Sequence, residues 1–209
     1  RRLHPRLSIQ CHDVQQLRLD RFSGSHSYPA IALARLFIPS LIPGSEPIIY
    51  VDVDTVCLAD ISPLLTLDLG NNVMAACQEV VGQKVLEDDC PLPLHSDADR
   101  QAIYFNTGLT MIQPDPWREA GITEAALALL TRDDLHFRYA DQTVINYVAR
   151  HRITPIDTGY NCLHSLFSVG QAQWPAILHF YGGTKPWHCS QPLSDAWAAW
   201  WLASRRLAK

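Results

Sequence analysis

The stretch EPIIYVDVDTVCLADISPL, residues 46–64, places two carboxylates inside an apolar run that reads as a buried strand. Side chains of a strand alternate between its two faces, so Asp52 and Asp54 are expected to point the same way, with Val51 and Val53 on the opposite, packed face. Neighbouring like charges repel unless one is protonated or a cation joins them. Because hard divalent cations prefer carboxylate oxygens, a metal site is one interpretation of the pair. A helix cap or an ordinary surface turn is the other.

Length and composition favour one globular domain. The chain has 209 residues, of which 47% are hydrophobic and 18% are charged, enough for a sizeable core. The net charge of -4 argues against nucleic acid as a partner. None of the apolar runs is long enough to span a membrane. The six cysteines form no CxxC pair, so free thiols in the reducing cytoplasm are expected.

Apolar spacing along the chain predicts alternating strands and helices. Strands are predicted over residues 47–53, 73–77, 102–112, 153–156 and 176–180, the third interrupted at 106–108, and helices over residues 25–44, 115–133, 141–151 and 194–209. The first helix is expected to be capped by Ser27, with Pro29 in its first turn. Residues 82–100 are polar and proline-bearing, which predicts a mobile surface loop, either a variable loop or a lid. The alternation indicates an α/β fold with a mainly parallel sheet.

A second segment, ILHFYGGTKPWH at residues 177–188, gathers further ligand-type residues. His179 ends an apolar strand, Gly182 begins a turn that allows close backbone approach, and Lys185 follows. Such a set suits a diphosphate bound through a metal. His179 would complete the metal ligands, while the Gly182 amide and Lys185 would hold phosphate oxygens. The alternative is a strand that ends in an ordinary Gly-Gly turn with a surface lysine.

Five motifs, in order along the chain, carry a resemblance to a known family. They are ALARLFIPSLIPGSEPIIYVDVDTVCLADISPL (32–64), YFNTGLTMIQPDPWRE (104–119), ADQTVINYV (140–148), YNCL (160–163) and HFYGGTKPWH (179–188). In this arrangement the sequence resembles glycosyltransferase family 8, the retaining enzymes that include bacterial lipopolysaccharide galactosyl- and glucosyltransferases. The resemblance implies a GT-A-like fold, the α/β fold of nucleotide-diphospho-sugar transferases.

The resemblance also implies roles for individual residues. Asp52, Asp54 and His179 would bind Mn²⁺, with Mg²⁺ as the alternative ion. Contacts with the UDP-sugar are implied for Arg35, Asp52, Val53, Asp54, Asn106, Gly182 and Lys185, and catalytic roles for Asp141, Gln142 and Lys185. Asn161 matches a family asparagine more loosely. Glu79 is either a contact of the donor sugar hydroxyls or a surface carboxylate.

The implied reaction is retaining transfer of a hexose, galactose or glucose, from a UDP-sugar to a saccharide acceptor such as a lipopolysaccharide core. Retention requires a covalent intermediate or attack on the face from which the leaving group departs. Asp141 is the candidate nucleophile for the first route, and Gln142 could instead stabilise an oxocarbenium-like centre. We favour same-face displacement, with the diphosphate accepting the proton of the acceptor hydroxyl. A non-catalytic remnant that binds metal and nucleotide-sugar, and a metal-dependent phosphohydrolase, are the alternatives.

Two further expectations concern the ends of the chain. Nothing in it matches the strand and Asp-rich turn with which the family holds uracil and ribose, so residues 1–209 are expected to form a single GT-A-like domain that lacks the first strand or strands. At the other end, residues 190–209 predict an aromatic and basic helix. Trp197, Trp200 and Trp201 share one of its faces, which either docks on the core or contacts the inner face of the cytoplasmic membrane.

Overall fold

The computed structural model describes residues 8–22, 30–79, 85–168, 175–183, 185–188 and 194–207. The chain divides into two compact units. Unit 1 comprises Arg1–Asp13, Asp52–Ile61 and Gly159–Lys209, and unit 2 comprises Val14–Val51 and Ser62–Thr158. Each unit has a sheet and a core of its own, and the organisation as one domain stays a prediction.

Seven strands lie within the described residues: β1 (Ile48–Val51), β2 (Thr55–Cys57), β3 (Met74–Gln78), β4 (Phe105–Ile112), β5 (Ile153–Ile156), β6 (Cys162–Leu163) and β7 (Ile177–His179). Unit 2 contains a four-stranded sheet in the order β1-β4-β3-β5, and unit 1 contains a three-stranded sheet in the order β2-β7-β6. Neither β2 nor β6 is predicted from the sequence, because segments of three and two residues are too short to show a period.

Both sheets are mixed. The pairs β1–β4, β3–β4 and β2–β7 are antiparallel, whereas β3–β5 and β6–β7 are parallel. The α/β class is therefore confirmed, but the expected mainly parallel arrangement is wrong for the described residues, where antiparallel pairs are the majority. Alternation of strands with helices in a sequence does not report the direction in which each strand meets its neighbour.

The helices differ from the predicted ones chiefly in being shorter. They are α1 (Ile38–Leu41), α2 (Leu86–Asp89), α3 (Asp97–Arg100), α4 (Pro114–Glu119), α5 (Ile122–Leu130), α6 (Ala140–Val148), α7 (His164–Ser168) and α8 (Asp195–Leu207). A 3₁₀ helix over Ala30–Phe37 leads into α1. The expected cap, Ser27, and the expected first-turn proline, Pro29, lie outside the described residues. The single helix predicted over 115–133 is split into α4 and α5 at Gly121, whose φ of +61° is left-handed.

Strand β4 runs without a break through the residues that were expected to interrupt it. All eight of its residues are buried. Its register with β3 shifts, since Ala76 lies opposite Thr110 and the next residue, Cys77, lies opposite Asn106. The polar Asn-Thr-Gly segment therefore marks a local irregularity of pairing inside a continuous strand rather than a gap between two strands.

Residues 85–100 are partly helical where composition predicts a loop, and their mobility stays a prediction. They contain α2 and α3, and the hydroxyl of Ser96 accepts a hydrogen bond of 3.0 Å from the Asp99 amide as an N-terminal cap. Leu86 is fully buried. The Arg150 Nε donates to Asp99 Oδ1 at 2.8 Å and ties the segment to the residues after α6. A role for this segment as a lid stays a prediction.

The core of unit 1 forms around β7 and α8. Leu178 and Phe180 are fully buried, and Val56 and Trp197 pack with them. Trp197 of the predicted face is thus buried in the core and Trp200 packs against it, while contact of this helix with a membrane stays a prediction. Within the described ranges, the helices are all too short or too polar to cross a membrane.

Candidate metal centre

The two aspartates lie in the turn that joins β1 to β2. Strand β1 ends at Val51 and β2 begins at Thr55, whose hydroxyl donates a hydrogen bond of 2.8 Å to the Asp52 carbonyl. Val53, between the aspartates, is 98% exposed. The expected packed face for Val53 is therefore wrong, because the strand has already ended. Asp52 and Asp54 nevertheless come close to a shared third residue.

That third residue is His179, the last residue of β7. Since β7 pairs with β2, His179 lies opposite Thr55, next to the turn. Its Nε2 lies 3.2 Å from Oδ1 of Asp54 and 3.7 Å from Oδ2 of Asp52. One ligand atom from each of the three residues falls within 4.8 Å of the others. The sequence prediction that these side chains converge is met.

Lys185 joins the same group from the glycine turn. Its Nζ donates to the Phe180 carbonyl at 2.7 Å and to Oδ2 of Asp54, the carboxylate oxygen that does not face His179. Burial acts to raise the pKa of Asp54, but the hydrogen bonds and charges of His179 and Lys185 outweigh it and lower that pKa from 3.8 to about 2. The Asp54 carboxylate is therefore ionised throughout the neutral range.

The donor set fits a hard divalent cation. It offers two carboxylates, which Mn²⁺ and Mg²⁺ prefer, and one imidazole nitrogen, which suits Mn²⁺ better than Mg²⁺. The side chain of His179 is 4% exposed, and those of Asp52 and Asp54 are 20% and 15% exposed. The carboxylates are thus open to a ligand on one side, while the imidazole is held by the protein.

Gly182 occupies a backbone conformation that other residues rarely adopt. Its φ is +94°, and a methyl group on its Cα would meet no atom within 4 Å. Gly182→Ala is therefore expected to lower the free energy of unfolding by about 1–2 kcal/mol through backbone strain alone. Gly183→Ala is the matched control, since Gly183 is equally open but does not have a left-handed φ. Urea denaturation of both variants measures the difference, and equal effects would contradict the argument.

A second polar cluster lies in unit 2. Arg35 Nε is 2.7 Å from Oδ2 of Asp141, and the two side chains are 10% and 7% exposed. Arg35 Nη1 donates to the carbonyl and hydroxyl oxygens of Thr107 at 2.7 and 2.8 Å. The Thr107 amide in turn donates to Oε1 of Gln142 at 3.0 Å. Arg35, Asp141 and Gln142, predicted separately from distant motifs, therefore belong to one network.

Asn106 and Glu79 form a buried pair in the same unit. The Asn106 Nδ2 donates to Oε2 of Glu79 at 2.9 Å, and the Gly108 amide donates to Oδ1 of Asn106 at 2.9 Å. Glu79 is only 6% exposed, so the interpretation as a surface carboxylate is wrong. Contact of either residue with a donor sugar stays a prediction.

Asn146 is a polar residue of this unit that sequence reasoning missed. Its Oδ1 accepts from the Phe105 amide at 2.7 Å, and its Nδ2 donates to the Phe105 carbonyl at 2.8 Å, as a neighbouring strand would. The same Nδ2 also donates to the Gln142 carbonyl at 2.8 Å. The sequence did contain a signal for this role: Asn146 lies four residues after Gln142, on the same face of the predicted helix.

The model of the family Glycosyl transferase family 8 matches residues 2–191. The chain belongs to glycosyl transferase family 8. The resemblance carried by the five motifs is thereby confirmed. Lipopolysaccharide 1,2-glucosyltransferase of Escherichia coli (strain K12) is 30% identical in an alignment 154 residues long that covers 68% of this chain and 44% of that protein. General stress protein A of Bacillus subtilis (strain 168) is 27% identical in an alignment 175 residues long that covers 75% of this chain and 59% of that protein. The chain thus spans about half the length of these relatives.

Solved structures of glycosyl transferases share the fold of this family 8 chain. The galactosyltransferase LgtC, in complex with donor and acceptor sugar analogs, superposes with a TM-score of 0.70 at 20% identity and covers 91% of this chain and 72% of its own. The bifunctional glycosyltransferase WbbM, in its apo structure, gives a TM-score of 0.68 at 21% identity, with 87% of this chain and 36% of its own covered. The GT-A-like fold expected from the sequence is therefore confirmed.

Proposed function

We propose that this chain carries out metal-dependent, retaining transfer of a hexose from a UDP-sugar to a saccharide acceptor. The observation that carries the proposal is the convergence of Asp52, Asp54 and His179 at ligand distances, in a member of glycosyl transferase family 8. Mn²⁺ is the ion we propose, with Mg²⁺ as the alternative. Because one relative is named for lipopolysaccharide glucosyl transfer, we propose glucose or galactose as the hexose and a lipopolysaccharide core as the acceptor.

The roles of the residues follow from charge. A divalent ion held by Asp52, Asp54 and His179 would neutralise the charge that develops on the departing diphosphate. Lys185 donates to Asp54 and so lies beside this ligand set, where its ammonium would bind an oxygen of the same diphosphate. The backbone of Gly182, free of a side chain, lets the diphosphate approach the main chain.

The ion pair of Asp141 supports same-face displacement over a covalent intermediate. A carboxylate held 2.7 Å from a guanidinium is stabilised as an anion and is a poorer nucleophile for it. In this proposal Asp141 fixes Arg35, and Arg35 fixes Thr107, which bonds Gln142. Gln142 would then stabilise the positive charge on the anomeric carbon, and the diphosphate would accept the proton of the acceptor hydroxyl.

A coupled assay tests this function and its two alternatives. UDP release is followed with UDP-glucose or UDP-galactose, with Mn²⁺ or a chelator, and with or without a lipopolysaccharide core oligosaccharide. The proposal predicts release that requires Mn²⁺ and rises with acceptor. Release of UMP and hexose 1-phosphate, independent of any acceptor, would identify a phosphohydrolase that cleaves the diphosphate. Calorimetric binding of Mn²⁺ and UDP without turnover would identify a non-catalytic remnant.

We also propose that the chain acts in the cytoplasm, at the inner face of the membrane where lipid-linked acceptors are built. Leu202 of α8 is 64% exposed, and the Arg205 guanidinium lies 5.0 Å from the Trp201 ring. An exposed aliphatic side chain beside basic and aromatic groups suits an interface with anionic lipid. Co-sedimentation with anionic liposomes, compared between the native chain and Leu202→Glu, which changes an exposed residue outside the core, measures this contact, and equal pelleting would reject it.

A further inference from the structure

The turn that carries Lys185 is open on its outer side. Gly182 and Gly183 are exposed, and a methyl group built on either glycine would meet no atom of the described residues within 4 Å. Glycine loses more conformational freedom on folding than any other residue, so a turn of this kind has little to hold it from within. Its position therefore depends on its two ends, Phe180 and Trp187.

Phe180 anchors the first end in the core of unit 1. Its side chain is fully buried and packs with Ala196 and Trp197 of α8. Its amide donates a hydrogen bond of 2.8 Å to the Asp54 carbonyl, which ties this end to the acidic turn as well. The start of the lysine turn is thus fixed relative to both α8 and Asp54.

Trp187 anchors the second end through Trp200 of the same helix. The 3₁₀ turn Pro186–His188 follows Lys185 directly, and its His188 amide donates to the Lys185 carbonyl at 3.0 Å. The centroids of the Trp187 and Trp200 rings lie 6.2 Å apart with their planes tilted by 49°, within the range that aromatic pairs favour. Trp187 is 46% exposed, whereas Trp200 packs against the core of unit 1. Trp200 therefore connects a half-exposed residue of the turn to that core.

One face of α8 supports both ends of the turn. Trp197 and Trp200 are three positions apart, which places them side by side on the helix surface. The Lys185 Nζ reaches back across the turn to the Phe180 carbonyl at 2.7 Å and to the Asp54 carboxylate. The backbone of the lysine belongs to the end held by Trp200, whereas its acceptors lie at the end held by Trp197. Lys185 makes these contacts only while the two ends keep their spacing.

We propose that Trp200 is a positioning residue that acts through Trp187 to hold Lys185 within reach of the Asp54 carboxylate. The binding of a diphosphate oxygen by Lys185 rests on the proposed function. The placement of the lysine does not, since it follows from contacts within unit 1. A lysine side chain is long and flexible, so fixing it in advance lowers the entropy lost when its ammonium binds an anion.

Chemical labelling measures the placement of Lys185 without metal or nucleotide. The chain has three lysines, Lys84, Lys185 and Lys209, so peptide mass spectrometry resolves the rate at which acetic anhydride acetylates each of them. In the native chain the Lys185 side chain is 19% exposed and its ammonium is held by two acceptors. In Trp200→Ala it is expected to react several-fold faster relative to Lys84. An unchanged relative rate would overturn the proposal.

Three further variants show whether the effect is local. Trp187→Ala breaks the same contact from its half-exposed side, outside the core, and is expected to raise the labelling rate as much as Trp200→Ala. Trp200→Phe keeps an aromatic ring and is expected to restore a rate close to native. Leu202→Ala is the control, since Leu202 is a 64% exposed residue of the same helix, and a native rate is expected. Native labelling in Trp187→Ala, or faster labelling in Leu202→Ala, would show that the tryptophan contact does not hold the lysine.

Calorimetric titration of UDP in the presence of Mn²⁺ connects the placement of Lys185 to the proposed function. Trp200→Ala is expected to raise the Kd for UDP about 2–10-fold, as for the loss of one aromatic contact, and Lys185→Met about 10–100-fold. Because Trp200 acts through Lys185, Trp200→Ala is expected to add nothing in the Lys185→Met background. The same loss in both backgrounds would indicate a general loosening of unit 1 and overturn the proposal. If the native chain binds no UDP, the proposed function fails, while the labelling rate still decides the role of Trp200.

Discussion

Asp54→Asn is expected to lower kcat/KM for the proposed hexosyl transfer by about 10³-fold, equivalent to about 4 kcal/mol of transition-state stabilisation. Asp54 is the residue on which the site converges, because one of its oxygens faces His179 and the other accepts from Lys185. An asparagine of the same shape removes the negative charge and leaves the ammonium of Lys185 without its carboxylate partner. We therefore expect a lower affinity for the metal and a Lys185 side chain that is no longer held in place.

The measurement combines steady-state kinetics with calorimetric titration of Mn²⁺. Asp195→Asn is the control, since Asp195 is an exposed carboxylate of the same unit at the start of α8. It is expected to leave both quantities at native values. Native Mn²⁺ affinity in Asp54→Asn, or the same loss of activity in both variants, would remove Asp54 from the site.

Arg35→Met is expected to lower the free energy of unfolding by about 3–5 kcal/mol. The Arg35–Asp141 pair is nearly buried, and the substitution leaves the Asp141 carboxylate at 7% exposure without its guanidinium. The two hydrogen bonds from Arg35 to Thr107 are lost as well. An exposed ion pair would contribute far less, because water solvates both partners.

A double-mutant cycle in urea denaturation shows whether the charge is the cause. Arg35→Met combined with Asp141→Leu removes both charges and is expected to recover much of the stability lost in the single variant. Arg132→Met is the control, because Arg132 and Asp134 form an ion pair at 48% and 67% exposure, and little change is expected there. Additive losses in the Arg35 and Asp141 variants would show that the pair is not coupled.

The convergence of Asp52, Asp54 and His179 was predictable from the sequence, although part of the reasoning behind it was wrong. We expected Asp52 and Asp54 to share a face because strand side chains alternate. In the structure both residues lie in a turn, with Val53 exposed between them. Carboxylates two positions apart reached the same histidine because the turn, closed by Thr55, returns the chain beside β7. The predicted convergence of these side chains was therefore right, although the secondary structure predicted for residues 52 and 53 was wrong.

Other features could not be read from the sequence because they depend on distant partners. The strand over residues 153–156 was predicted within its observed bounds, yet its parallel pairing with β3 is set by tertiary packing. The buried Glu79 accepts a hydrogen bond from Asn106, which is 27 positions away in the sequence. The helical turns of residues 85–100 escaped prediction because each is only four residues long and has no period to detect.

The order in which the polypeptide is made has a consequence for the Asp54–Lys185 contact, which joins residues 131 positions apart. Synthesis proceeds from the N-terminus, so the acidic turn leaves the ribosome long before β7 and the glycine turn exist. A nascent chain therefore carries the carboxylates of Asp52 and Asp54 before His179 has been synthesised. The proposed ion could then bind only at the last stage of folding. At a free ion concentration of about 100 Kd, binding would stabilise the native state by about 2.7 kcal/mol. Chelators added after synthesis would act as mild denaturants of this protein.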